Sequence, residues 1–416
     1  MALQSGNWNP SLDFAELDLE QEEIQTIAEE LSFFHEEFRH CFGRSEQKRL
    51  GLGYIFGLLG DTRAKSAEPI ALEYIGKPAV RSLQRFMQVA PWDHEAMLRT
   101  HQENMATYLS SPAGMITVDA SEFEKKGTHS VGVARQYCGR LGKTENCQSG
   151  VFAGYTSEHG HCLVDCQLYM PKQWFNEDYK TLWEKNLVPE HVEFQTKPEI
   201  ALQLIHRVKE LFPASWVGCD SAFGSNDNFL SSLPEGLWYF ADVKGSEKVF
   251  LDEPEVGVPA YQGKGKPSTK KRVLSGDLRK VSDIAQSNDI SWKVVNLGEG
   301  AKGPLFARVA CMRVYPSRNN LPKDKPVWLI IRKHCDGQTR YAFSNAPADM
   351  PFEELCKAST MRWPIEQCFE EGKSRLGMDA YEHRSWPAWH RHMIYVMLAQ
   401  QFLFRLRQRF KKKLQT

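Results

Sequence analysis

Two aspartates and a glutamate occupy positions from which a chain of this kind could carry out phosphoryl chemistry. Met115-Ile-Thr-Val-Asp119 and Ser215-Trp-Val-Gly-Cys-Asp220 are apolar, strand-like runs that each end in a carboxylate. The C-terminal end of a strand opens on the crevice where α/β sheets hold their ligands. The third acid, Glu366, lies in Ser359-Thr-Met-Arg-Trp-Pro-Ile-Glu-Gln-Cys-Phe-Glu-Glu-Gly-Lys-Ser-Arg375. Read as one helix capped by Thr360, this stretch places Glu366 about 40° and Lys373 about 20° round from Arg362, so two cations flank one carboxylate. If the helix starts instead at Pro364, which suits a first turn, Arg362 falls outside it and the stripe shortens to Glu366 and Lys373.

Three such acids brought together without cations would repel one another and raise at least one pKa. With two divalent ions about 3.5–4 Å apart, the same cluster becomes a clamp on the attacking and leaving oxygens of an in-line phosphoryl displacement. Hard oxygen ligands suit Mg²⁺ or Mn²⁺. The nucleophile can be water or a DNA 3′-hydroxyl. The separations of the acids match no local metal motif, and other readings compete. The Glu366 stretch could be a solvated helix face laced with ion pairs, Glu370 lies one turn after Glu366, and Asp165 and Asp242 also occupy or end strand-like runs.

The elements that must position these residues follow from the rest of the chain. At 416 residues, with 42% apolar and 25% charged residues, it can bury large cores and divide into several domains. It has no apolar run of membrane-spanning length and no apolar leader, so a cytoplasmic protein is expected. The ten cysteines are expected to be reduced and buried. Of these, Cys162 and Cys166, near His159 and His161, read as one face of a strand better than as a zinc site. With 52 basic and 52 acidic residues, the net charge gives no global argument for nucleic acid, and any such argument must be local.

Residues 1–110 carry helical periodicity throughout: 19–40, a segment after Ser45, 77–87, and a helix from the N-cap Asp93 to Leu109. Arg81 and Arg85 share a helix face, as phosphate contacts would. Strand-like runs follow at 115–119, 130–133, 149–155 and 162–169, then a helix over 199–212, the run to Asp220, a short helix over 228–233 and a strand over 237–243. This order predicts an RNase H-like α/β core (111–245 and 346–400) behind an all-helical N-terminal DNA-binding domain. A mostly β insertion is expected over 246–345, with strands at 292–297, 305–315, 327–334 and 340–344 and an Asp336-Gly337 hairpin turn. Lys264, Lys266, Lys270, Lys271 and Arg272, with Arg279 and Lys280, form a basic loop opposed only by Asp277. Residues 401–416 read as a basic tail, either touching nucleic acid or solvated.

The chain resembles the DDE transposases of bacterial insertion sequences, in the branch with a β-strand insertion before the glutamate helix and a Tyr-x2-Arg-x3-Glu-x6-Lys signature. Arg362, Glu366 and Lys373 match that spacing, while Ser359 stands at the tyrosine position. Val118-Asp-Ala-Ser-Glu-Phe-Glu-Lys-Lys-Gly-Thr-His129 with Ala134-Arg-Gln-Tyr-Cys-Gly139 resembles the first-aspartate region of one such family. The block from Arg362-Trp-Pro-Ile-Glu to Tyr381-Glu-His-Arg-Ser-Trp386 resembles its glutamate region. The resemblance implies that Asp119, Asp220 and Glu366 hold two Mg²⁺ or Mn²⁺ ions and that Arg362 and Lys373 grip phosphates. It further implies cleavage of transposon ends and joining of the 3′-hydroxyl to target DNA. The partners would be terminal inverted repeats, target DNA and a second copy in the synaptic complex. In relatives the insertion can stack an extruded base on an aromatic ring, for which Trp292 and Trp328 are candidates, although a core role competes for each. A domesticated DNA-binding protein without catalysis and a stand-alone RNase H-like nuclease are the alternatives.

Overall fold

A computed structural model describes residues 21–62, 64–261, 263, 266, 268–300 and 303–415. In chain order the first helices are α1 (Gln21–Glu36), α2 (Ser45–Leu59), α3 (Ala67–Ile70, prolonged by a π turn over Ala71–Ile75), α4 (Val80–Gln88) and α5 (His94–Leu109). Strands β1 (Met115–Glu124), β2 (Ala134–Cys138), β3 (Lys143–Ser157) and β4 (Gly160–Leu168) follow, then α6 (Lys180–Lys185) and α7 (Lys197–Lys209). Next come β5 (Trp216–Cys219), α8 (Ser221–Gly224), α9 (Asp227–Ser231), β6 (Trp238–Val243), β7 (Lys248–Phe250), β8 (Glu255–Gly257), β9 (Arg272–Ser275), β10 (Leu278–Lys280) and α10 (Val281–Gln286). The chain continues through β11 (Lys293–Gly300), β12 (Gly303–Arg318), β13 (Leu321–Pro322), β14 (Val327–His334) and β15 (Thr339–Ser344). It finishes with α11 (Phe352–Met361), α12 (Pro364–Ser374) and α13 (Trp386–Gln415).

Two compact units emerge. One holds residues 215–362, and the other holds the described residues before 215 together with those after 362. The expected boundary at residue 110 does not separate two cores, because α13 is shared by the helices and by the sheet that follows them. Its Phe402 ring lies 5.5 Å from Phe34 of α1 and its Tyr395 ring 5.3 Å from Tyr54 of α2. At its other end Trp389 meets Phe123 and Phe152 of β1 and β3 at 6.3 and 6.0 Å. Gly150 makes this approach possible, since a Cβ there would stand 2.6 Å from the Trp389 ring. One buried apolar cluster therefore runs from Leu31 through Phe152 to Phe410.

In this unit β1, β3 and β2 form an antiparallel sheet, extended by β4 on β3. β4 is buried from Cys162 to Cys166 and at Leu168, and its register slips against Ala153 and Gly154, leaving Val164 as the extra residue of a bulge. The expected strand over 130–133 is a turn instead. Gly132 there has φ +68°, a conformation that breaks a strand and that glycine adopts at least cost.

The 215–362 unit begins with β5 parallel to β6. β15 then pairs antiparallel with β6, β14 with β15, and β12 with β14, so the expected insertion extends the β6 sheet without a break. β11, β13 and β7 also pair with β12. β8 and β9 form a separate two-stranded ribbon. All ten cysteines are free; Cys311 is half-buried, Cys335 is exposed and the rest are buried. Among the described residues no helix is long and apolar enough to cross a membrane.

Candidate active site

Asp119 follows four fully buried residues of β1 and is itself half-buried. Its Oδ1 accepts the Ala120 N–H at 2.7 Å, and its backbone is in register with Phe152 of β3. The Phe152 ring in turn meets Phe369 of α12 at 5.3 Å, and Ile365, Cys368 and Phe369 form the buried side of that helix. α12 is thereby held against the strand that carries Asp119.

The charged stripe is the shorter of the two expected. α11 and α12 are separate helices, with Pro364 in the first turn of α12 and Arg362 outside it. Thr360 is not a cap; it lies inside α11 and its hydroxyl donates to Lys357 O. Glu366 sits in the first turn of α12, where the helix dipole favours an anion. It is half-buried, whereas Glu370 is exposed. Two turns along, Lys373 donates to the Glu122 carbonyl at 3.1 Å and lies over the Phe123 ring. Asp119, Glu366 and Lys373 thus belong to one β1–α12 assembly. Beside it the Glu122 carboxylate pairs with Lys197 at 3.3 Å.

Asp220 belongs to the 215–362 unit. It ends β5 and caps α8, its Oδ1 accepting the Ala222 and Phe223 N–H groups at 3.0 and 3.2 Å. Burial raises its pKa above the usual carboxylate range, and the Asp242 charge adds to this. The cap bonds and the Arg362 charge act in the opposite direction.

Arg362 is buried in this unit, its Nε 3.1 Å from Asp242. Asp242 also binds Arg332 Nη2 at 2.6 Å, and Arg332 Nη1 donates to Ser359 O at 3.4 Å. Ser359 is 3% exposed and its hydroxyl donates to Cys356 O, so no side chain reaches outward from the tyrosine position. The competing acids both hold arginines: Asp242 these two, and the fully buried Asp165 the Nε and Nη2 of Arg207 at 2.9 and 3.0 Å.

Among the described residues, no three His, Cys, Asp or Glu side chains form a compact metal-holding group. The donor chemistry nevertheless fits hard divalent ions. Asp119, Asp220 and Glu366 supply only carboxylate oxygens, and the half-buried Asp220 carboxylate is one whose ionisation a cation would favour.

The remaining candidates are dispersed. Arg81 and Arg85 are exposed on α4. Lys266, Lys270, Lys271 and Arg272 are exposed at the β8–β9 ribbon, and Lys264 lies outside the described residues. Arg279 pairs with Asp277 at 2.6 Å. Trp328 is tied to Pro347 O through its Nε1 at 2.8 Å. Trp292 is half-buried between Lys333 Nζ, 4.6 Å from its ring, and Arg308, 5.3 Å away. Arg308 and Lys333 are opposite each other in the β12–β14 register. Neither was singled out in the sequence, where only strand alternation could have revealed them. The expected basic tail is the end of α13, and its arginines have structural partners: Arg405 with Glu37, Arg407 with Glu371 and Arg409 with Glu30.

Comparison with known families supplies the class. Residues 37–304 match the family described as DDE superfamily endonuclease, and the chain belongs to it. The matched region includes Asp119 and Asp220 and ends before Glu366. Over 340 residues the chain is 29% identical to the probable transposase for insertion sequence element IS701 of Microchaete diplosiphon, covering 80% of this chain and 76% of that protein.

Proposed function

We propose that this protein is a cytoplasmic DNA transposase that cleaves transposon ends and joins the exposed 3′-hydroxyl to target DNA, using an RNase H-like core and the β-rich 246–345 region as an insertion. The observation that carries this reading is the β1–α12 assembly, which holds Glu366 and Lys373 against the strand bearing Asp119. Asp119, Asp220 and Glu366 would hold two Mg²⁺ or Mn²⁺ ions. When bound, these supply Lewis-acid stabilisation to the attacking and leaving oxygens of a phosphodiester.

The chain's own groups do the positioning. Lys373, positioned by its bond to the Glu122 carbonyl, sets its charge against a phosphate beside the cut. Arg362 reaches a phosphate by exchanging Asp242 for it, and Arg332 stays on Asp242 when it leaves. Exposed Arg81 and Arg85 and the cations of the β8–β9 ribbon hold duplex DNA, and Trp292, flanked by Arg308 and Lys333, is better placed than the tethered Trp328 to stack a base. Two ends must be held at once, so the working form on DNA is a dimer.

The test uses a supercoiled plasmid carrying the cognate ends with Mg²⁺. Asp119→Asn, Asp220→Asn and Glu366→Gln should each abolish cleavage while DNA binding persists. Full cleavage by any of the three would show that its carboxylate is not a ligand. Cleavage without joining in the wild type would identify a nuclease, and binding alone a domesticated DNA-binding protein.

A further inference from the structure

Helices α2, α3 and α4 carry a feature that the catalytic site does not use. Gly53 and Gly57 lie one turn apart on α2, and Ile75 and Ile70 fill the space that their side chains would need. A Cβ on Gly57 would stand 2.5 Å from Ile70. The 67–75 helix therefore rests on the α2 backbone. It stops at Gly76, whose φ of +117° turns the chain, and a single turn over Lys77–Ala79 leads into α4. Two short helices joined by a tight glycine turn and supported by a third make a helix–turn–helix.

The two sides of α4 differ sharply. Leu83, Phe86 and Met87 are buried, while Arg81 and Arg85 are exposed and Gln84 and Gln88 half-exposed. At about 100° per residue, Arg81, Gln84, Arg85 and Gln88 fall within an arc of about 100°. Exposed Lys77 precedes them by one turn. This face has three cations, two amides and no acid. Among the described residues, none of the three cations has an acidic partner. The cations match a polyanion, a lone helix has the width of the DNA major groove, and glutamine amides pair in bidentate fashion with adenine N6 and N7.

We propose that α4 is the major-groove reading helix of this helix–turn–helix, with Gln84 and Gln88 on base edges and Lys77, Arg81 and Arg85 on flanking phosphates. This deepens the DNA-binding reading above and adds sequence recognition to it.

The full-length protein in EDTA is challenged with a pool of randomised 30-base-pair duplexes, and the retained DNA is sequenced. Binding is then titrated on the enriched duplex and on a scrambled one. Wild type should enrich a motif containing adenines that Gln84→Ala or Gln88→Ala no longer selects. Each of these variants should bind the enriched duplex roughly five- to 150-fold more weakly and the scrambled one unchanged. Lys77→Ala, Arg81→Ala and Arg85→Ala should weaken both, and each should reduce the slope of log K against log salt by about 0.9. Gln88→Glu, with its melting temperature checked, should weaken both by repelling phosphate.

The inference is overturned if the two alanine variants at glutamine select the wild-type motif with wild-type affinity, or if Gln88→Glu binds the scrambled duplex normally. Because this selection needs no metal, it is independent of the plasmid assay with Mg²⁺: selective binding here alongside absent cleavage there would refute the nuclease reading and leave this one standing. Cleavage alongside unaltered selection would do the reverse.

Discussion

Replacing Asp242 by asparagine removes a carboxylate that pairs with two buried arginines, neither of which can shed its proton. Arg332 and Arg362 each have side chains 5% exposed, and Asp242 lies 2.6 and 3.1 Å from them. Burial already works against the Arg332 charge and the neighbouring Arg362 adds to that, while Asp242 offsets part of the loss. Asparagine keeps the shape and one acceptor but leaves two like charges in a poorly solvated pocket. Breaking a buried pair in this way costs about 3–5 kcal/mol. At roughly 2–4 °C per kcal/mol, the melting temperature should fall by about 6–20 °C. Thermal unfolding followed by circular dichroism, with urea titration beside it, measures this directly. A triple replacement, Asp242→Leu with Arg332→Met and Arg362→Met, should regain most of the loss because it removes the charges together. Asp242→Asn melting within a degree of wild type would mean that the carboxylate does not neutralise these arginines, and Asp242 would again compete with Asp220 as a ligand.

Further expectations test neighbouring statements. Because burial raises the Asp220 pKa in the folded state, ionising it costs stability. That contribution is fully present below the ordinary carboxylate pKa and is lost as pH rises through the higher folded value. Asp220→Asn should therefore gain on wild type as pH rises from about 4 and then level off, a trend read from melting temperatures between pH 4 and 8; a gap independent of pH would refute it. Gly57→Ala should cost about 1–3 kcal/mol by pushing on Ile70, visible as a lower urea midpoint. Trp328→Ala should destabilise the fold by breaking its bond to Pro347 O, whereas Trp292→Ala should mainly weaken single-strand binding, by about 1–3 kcal/mol; equal behaviour in both assays would undo the distinction.

Much of the scaffold could be read locally because its signals are local. Asp93 caps α5 by accepting the Ala96 N–H at 2.9 Å, and β14 occupies the very span its apolar run marks. The Asp336-Gly337 turn joins β14 to β15, with Gly337 at φ +84°. The break between α11 and α12 was only half legible, since Pro364 fits either a helix start or the first turn of a longer helix. Least legible were interactions set by tertiary distance. Arg332 meets Asp242 across 90 positions, and Arg405 meets Glu37 across 368. A run of cations that looks solvated or nucleic-acid-binding in sequence thus becomes part of the frame. The same long-range pairing ties Asp165 to Arg207 and Asp242 to Arg332, contacts that their strand positions do not announce.

The unit built around α13 is discontinuous in the chain, whereas residues 215–362 form one uninterrupted segment. During synthesis the continuous segment has all its strands available before the last helix emerges. Phe34, Tyr54 and Phe152 must wait for Phe402, Tyr395 and Trp389 to arrive. Until then the early helices and the Asp119 strand lack a shared apolar wall, and the nascent protein passes through an interval in which that surface is open to chaperones or to aggregation.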